Sequence, residues 1–192
     1  MTSAETIVDD EINHAIASDL AELRRTFIKS ADLAIAESKG DPEPLTRKRV
    51  GFDITCDKAG STTTMLSIVC KRYTYLGGPY PNVDHITYNF GLCAGQHAVA
   101  LTLGALCRPD AQCEKTILDL LNRELSARNV EVKLDEHAEA LKTFAITQAG
   151  LRFFANDDLP HVIESAGTID IAFAQLWNVL RGDGPLAGLV AP

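Results

Sequence analysis

The sequence is short of basic residues, of long apolar runs and of recognisable enzyme signatures. Its 18 Lys and Arg stand against 26 Asp and Glu, a net charge of −8, and no cationic cluster exceeds Arg47-Lys48-Arg49. A phosphate backbone is bound by a dense positive surface, so nucleic acid is not an expected partner. The longest apolar stretch, Ala98 to Leu106, is broken by Thr102 and Gly104 and is too short to span a bilayer. There is no GxSxG nucleophile elbow, no Walker-type phosphate loop, no GxGxxG fingerprint and no HExxH zinc helix. Cys56, Cys70, Cys93, Cys107 and Cys113 include no CxxC pair, so neither a structural metal nor a cofactor is expected. The first residues, MTSAETIVDDEINHAI, lack the basic and apolar regions of a secretory signal. That leaves a cytoplasmic protein, or an exported one written without its leader.

What is present is the composition of a globular chain of 192 residues, enough for one well-buried domain. Ile12, Ile16, Leu20, Leu23, Phe27, Ala31 and Ala34 recur at helical spacing. They predict a long helix capped by Asp9 or Asp10 and ended by Gly40 and Pro42. Val50 to Cys56 and Met65 to Tyr75 are rich in Val, Ile, Thr and Tyr and read as a hairpin turning at Asp57-Lys58-Ala59-Gly60-Ser61. From His85 to Leu92, Ile86, Tyr88, Phe90 and Leu92 alternate with His85, Thr87, Asn89 and Gly91, which predicts one buried and one wet face. A short apolar segment follows from Val99 to Leu106. Then come a helix from about Asp110 to Arg128 with Ile117, Leu120, Leu121 and Leu125 inward, and a helical piece from Asp135 to Lys142. Strands are expected at Phe144 to Thr147, Leu151 to Phe154 and Thr168 to Ala172, with a last helix from Phe173 to Leu180 containing the only Trp. Strands joined by turns, with helices inserted in blocks, indicate an α+β fold: an antiparallel sheet against a long N-terminal helix and two or three further helices.

Four segments carry possible chemistry. Tyr73-Thr74-Tyr75-Leu76-Gly77-Gly78-Pro79-Tyr80-Pro81-Asn82 combines two glycines, two stiffening prolines and three tyrosines. Tyrosine offers a flat amphipathic surface, so Tyr73, Tyr75, Gly77, Gly78, Pro79, Tyr80 and Asn82 form the candidate binding loop for a protein or a sugar. The competing reading is a tight connection with its tyrosines packed in the core. Cys107 and Cys113 flank a Pro/Asp turn and are the candidate disulfide; two reduced thiols beside a turn is the alternative. Asp135-Glu136-His137-Ala138-Glu139 reads as a solvated helix face in preference to a metal site. Asn156-Asp157-Asp158 with His161 reads as a polar turn in preference to a general acid and base.

The order of these motifs resembles a known family. Ser67-Ile68 to Tyr73-Thr74-Tyr75-Leu76-Gly77-Gly78, then Thr87-Tyr88-Asn89-Phe90-Gly91-Leu92 with Gly95 and Leu101, is similar to the strand, Gly-Gly loop and following strand of the RsiV-type extracytoplasmic domain, domain of unknown function 3298. Phe144 to Thr147, Gly150 to Phe154, Pro160 to Gly167, Ile169-Asp170-Ile171, Leu176 and Gly184-Pro185-Leu186 continue the likeness. Residues 1–64 resemble the module that usually precedes that domain, so residues 1–192 are read as one unit with 65–192 as the family segment. Where the family loop commonly continues Ala-His, this chain has Pro79-Tyr80, and no role of that histidine is carried over. The family includes the lysozyme-sensing domain of a membrane anti-sigma factor and the non-catalytic region of peptidoglycan deacetylases. The resemblance implies a non-enzymatic binding module outside the bacterial cytoplasm, periplasmic or secreted, that recognises a basic protein such as lysozyme or the cell-wall glycan. A small envelope hydrolase using His161 with Asp157 or Asp158, and a cytoplasmic structural or immunity-type protein, are the rival readings.

Overall fold

The computed structural model describes residues 4–37, 50–77, 79–93, 97–109 and 111–190. Helix α1, Ala4–Glu37, is the long amphipathic helix. It starts ahead of Asp9 and Asp10, which therefore lie inside it and do not cap it. The expected stop at Gly40 and Pro42 lies outside the described residues.

Strands β1 (Gly51–Ser61), β2 (Met65–Tyr75), β3 (Asn82–Cys93) and β4 (His97–Ala100) form an antiparallel sheet in that order. The turn expected at Asp57 to Ser61 is strand instead, with a bulge between Lys58 and Gly60. The chain reverses at Thr62–Thr64, where the Thr62 hydroxyl accepts from the N–H groups of Thr64 and Met65 at 3.1 and 3.2 Å. Gly60 has another use. A Cβ there would stand 2.4 Å from the Ile146 carbonyl oxygen, so only glycine lets the next layer approach.

That layer is a second antiparallel sheet, β5 (Phe144–Ile146), β6 (Gly150–Phe154) and β7 (Thr168–Ala172), backed by α2 (Leu103–Leu106), α3 (Cys113–Ala127) and α4 (Phe173–Leu176). Ile117, Leu120, Leu121 and Leu125 of α3 are buried, as their spacing predicts. The Asp135 to Lys142 segment shrinks to a 3-10 turn at Glu139–Leu141. The last helix stops at Leu176, leaving Trp177 45% exposed. Residues beyond it are drawn out of the helix: Arg108 Nε donates to the Leu180 carbonyl at 2.8 Å, and the Arg181 N–H donates to the Leu106 carbonyl at 2.9 Å.

Period two divides the first sheet into two faces. Tyr88, Phe90 and Leu92 turn toward α1, with Phe90 and Leu92 beside Ile12 and Ile16. Phe52 meets Phe27 at a 5.0 Å centroid distance, and the Tyr88 hydroxyl donates to Asp19. The opposite face, with His85, Thr87, Asn89 and Gly91, is not wet. Asn89 is 6% exposed and Ser67 beside it is fully buried.

The reason is β5. Thr143 and Thr147 give their backbone groups to β6, so Phe144 and Ile146 point theirs away from it. The Ser67 hydroxyl accepts from the Ile146 N–H at 2.9 Å and donates to Asn89 Oδ1 at 2.6 Å, while Asn89 Nδ2 donates to the Phe144 carbonyl at 2.7 Å. Two side chains thus satisfy the edge of β5 with no water, as a buried backbone edge requires.

Candidate functional site

An ion pair braces the base of the β2–β3 hairpin. Arg72 Nε donates to Asp84 Oδ1 at 2.8 Å, and Nη2 donates to Oδ2, across directly paired residues. Asp84 is 4% exposed, and its hydrogen bonds hold the Arg72 guanidinium above its ordinary pKa. Asn82 Nδ2 also donates to Asp84, at 3.3 Å. Asn82 therefore supports the base of the loop.

Above this base, Tyr73 lies over Gly51 of β1, its ring 3.3 Å from where a Cβ would sit, and it remains 38% exposed. Tyr75 is half-buried. Gly77 holds φ at 95°, the left-handed region a glycine enters without strain. Gly78 lies outside the described residues. Pro79 is exposed and Tyr80 is 68% exposed at the tip. The tyrosines are not packed in the core: Tyr73 and Tyr80 are exposed and Tyr75 is half-buried.

Two disulfides fix the surroundings. Cys107 and Cys113 are joined, with Cα atoms 5.8 Å apart, and close a short loop onto the start of α3. Cys56 and Cys70 are joined across the β1–β2 pair, with Cα atoms 3.9 Å apart. This second bond is absent from the sequence reading, which lacked the register that sets the two residues opposite each other. The side chain of Cys93 lies outside the described residues.

A second feature also went unread. Between the buried-side face of the first sheet and strands β6 and β7 lies an open cleft of about 350 Å³. Lys71 and His85 line one wall; Arg152, Phe154 and Thr168 line the other. The His85 ring stacks on Phe154 at 4.3 Å and 19°, and its Nδ1 is buried with no hydrogen-bond partner. Burial first, and the charge of Lys71 second, push the His85 pKa below its ordinary value, with Asp84 acting against them. Arg152 is locked by Asp170, with Nε to Oδ1 at 2.7 Å and Nη2 to Oδ2 at 3.1 Å.

Of the rival hydrolase constellation, Asp158 holds a backbone turn: it accepts from the backbone N–H groups of Glu139 and Ala140 at 2.9 and 2.8 Å, capping the 3-10 turn, and the side chain of His161 lies outside the described residues. Among the described residues, no group of three or more His, Cys, Asp and Glu is placed to hold a metal ion, and no helix is long and apolar enough to cross a membrane.

The sequence matches no protein-family model and no curated protein. Its structure does have neighbours. A DUF3298 family protein of Bacteroides fragilis superposes with a TM-score of 0.58 at 15% identity, covering 93% of this chain and 72% of that one. A DUF3298 family protein of Pseudomonas aeruginosa superposes with a TM-score of 0.47 at 14% identity, covering 75% and 69%. The fold implied by the order of motifs and the fold found by superposition on the Bacteroides protein are the same one, that of the DUF3298 family.

Proposed function

We propose that this chain is a non-enzymatic recognition domain acting outside the cytoplasm at the bacterial envelope, with residues 1–64 and 65–192 working as one unit. Its contact surface is the β2–β3 hairpin tip, and its partner is a basic, lysozyme-like protein. The observation that carries this reading is the display of Tyr73 and Tyr80 on a hairpin whose base is braced by Arg72 and Asp84. Flat amphipathic side chains on a stiff support lose little entropy on binding, which is why they dominate interfaces. Two disulfides and the DUF3298 fold are consistent with an oxidising compartment. The net charge of −8 steers a cationic partner toward the domain.

Titration with a basic c-type lysozyme tests this, at low and at high salt. Saturable binding that weakens with salt is expected, together with a loss of about tenfold or more in Tyr80→Ser, the size typical of an aromatic interface anchor. Absence of binding at high micromolar concentration removes this partner. Binding to soluble cell-wall glycan fragments but not to lysozyme transfers the surface to the glycan.

A further inference from the structure

The cleft beside His85 is lined by none of the residues of the hairpin tip. Its position is set by the fold: Lys71 and His85 are directly paired across β2 and β3, and Arg152 and Thr168 reach them from β6 and β7. Two cationic groups from different sheets thus meet in a chain whose overall charge is strongly negative. They differ in kind. Arg152 donates to Asp170 through Nε and Nη2, one edge of its fork, which leaves its remaining N–H groups available to a ligand. Lys71 shares the lining with the carboxylate of Asp57 on β1, and its side chain is exposed, so its ammonium is a mobile donor.

The polar lining completes the chemistry. Thr55 and Thr168 add hydroxyls that pair with either donors or acceptors. Asp57 on the β1 side and Asp170 beside the guanidinium balance Lys71 and Arg152, so the formal charges at the cleft sum to zero. A doubly charged anion is opposed there, whereas a single carboxylate finds directional donors on both walls. The volume, about 350 Å³, lies at the small end of ligand clefts. We infer that this cleft binds a small, singly charged, hydroxyl-rich carboxylate, with a carboxylated monosaccharide as the matching class, its carboxylate between Lys71 and Arg152 and its hydroxyls toward Thr55 and Thr168.

His85 reports on occupancy without needing to touch the ligand. Burial first, and the Lys71 charge second, favour the neutral imidazole. A carboxylate beside Lys71 offsets that field, so the His85 pKa rises toward the ordinary histidine value on binding.

The test is an NMR titration of the His85 imidazole in the full chain with sodium glucuronate, glucose and inorganic phosphate. Glucuronate is expected to saturate the shift and raise the His85 pKa, with glucose silent and phosphate weaker. Lys71→Gln should weaken glucuronate by about tenfold or more, the worth of a charge-assisted hydrogen bond, while Lys71→Arg retains the affinity. Lys71 is exposed on the sheet, so neither variant disturbs the core. A glucuronate response that never saturates at tens of millimolar overturns the inference. So does binding of phosphate without glucuronate, or unchanged affinity in Lys71→Gln.

Discussion

The two faces of the β1–β4 sheet are held by different physics. On the α1 face the apolar contact is small: Ile12 and Phe90 are buried, with Ile16, Leu66, Tyr88, Leu92 and Ala98 half-covered around them. Polar ties at its edge, Tyr88 to Asp19 and His97 to Glu11, stay in reach of water. Farther along α1, Ile28, Leu33 and Ile35 are exposed. On the other face, Met65 joins the large core, and Ser67 and Asn89 bond the edge of β5 in a dry relay. Depth of burial, more than the length of the covering element, decides which face holds. A helix of 34 residues covers its face with little buried apolar area, while a strand of three residues is locked by satisfied polar groups. Local stability should follow, with α1 opening well before β5 leaves the sheet.

The comparison is tested most severely by Asn89→Ala. It strands the Phe144 carbonyl and the Ser67 hydroxyl in a dry site, and a loss of about 3–5 kcal/mol in urea unfolding is expected from two unsatisfied groups and a small void. A cost below about 1 kcal/mol would mean that water already serves the relay. Next, replacing Cys56 and Cys70 together by Ala should cost about 3 kcal/mol through the restored freedom of the loop they close, read as a lowered denaturation midpoint under oxidising conditions. Ile12→Ala should cost about 2 kcal/mol, because its neighbours on the thin face can close over part of the space. Hydrogen exchange should then quicken in α1 while β5 to β7 amides keep their protection; equal loss on both sides would show the faces to be one cooperative unit. The smallest effect belongs to Glu11. Hydrogen bonds, first from His97 and then from the Ala98 N–H, hold its carboxyl below the ordinary glutamate pKa. The stabilisation is therefore present above the unfolded-state value and is lost as pH falls through the folded one. Glu11→Gln should lower the melting temperature slightly near neutral pH, and the difference should vanish in acid.

Local pattern made some of this architecture legible. Met65–Tyr75 and Thr168–Ala172 emerge as strands with the boundaries their β-branched and aromatic content marks, and the inward residues of α3 follow directly from period 3.6. The errors share a cause. His85, Thr87, Asn89 and Gly91 alternate with apolar residues and so read as solvent-facing, because alternation distinguishes polar from apolar and not wet from dry. Gly60 reads as a turn residue because its true neighbour, Ile146, is remote in sequence. For the site, the hairpin was readable because Gly, Pro and Tyr lie together in one segment. Lys71, His85 and Arg152 occupy three strands and meet only after two sheets have paired, so no window of sequence contains the cleft.

The Cys56–Cys70 bond also has a mechanical meaning. Tension applied through α1 would peel β1 from β2 starting at the Gly51–Tyr75 pair and progressing one pair at a time. The covalent link halts that unzipping at Cys56. The pairs beyond it, and with them the Gly60 seat against Ile146, carry no load until the bond is reduced. A pull on the N-terminal side is thus passed from Cys56 to Cys70 through one sulfur–sulfur bond, and the segment between them is bypassed.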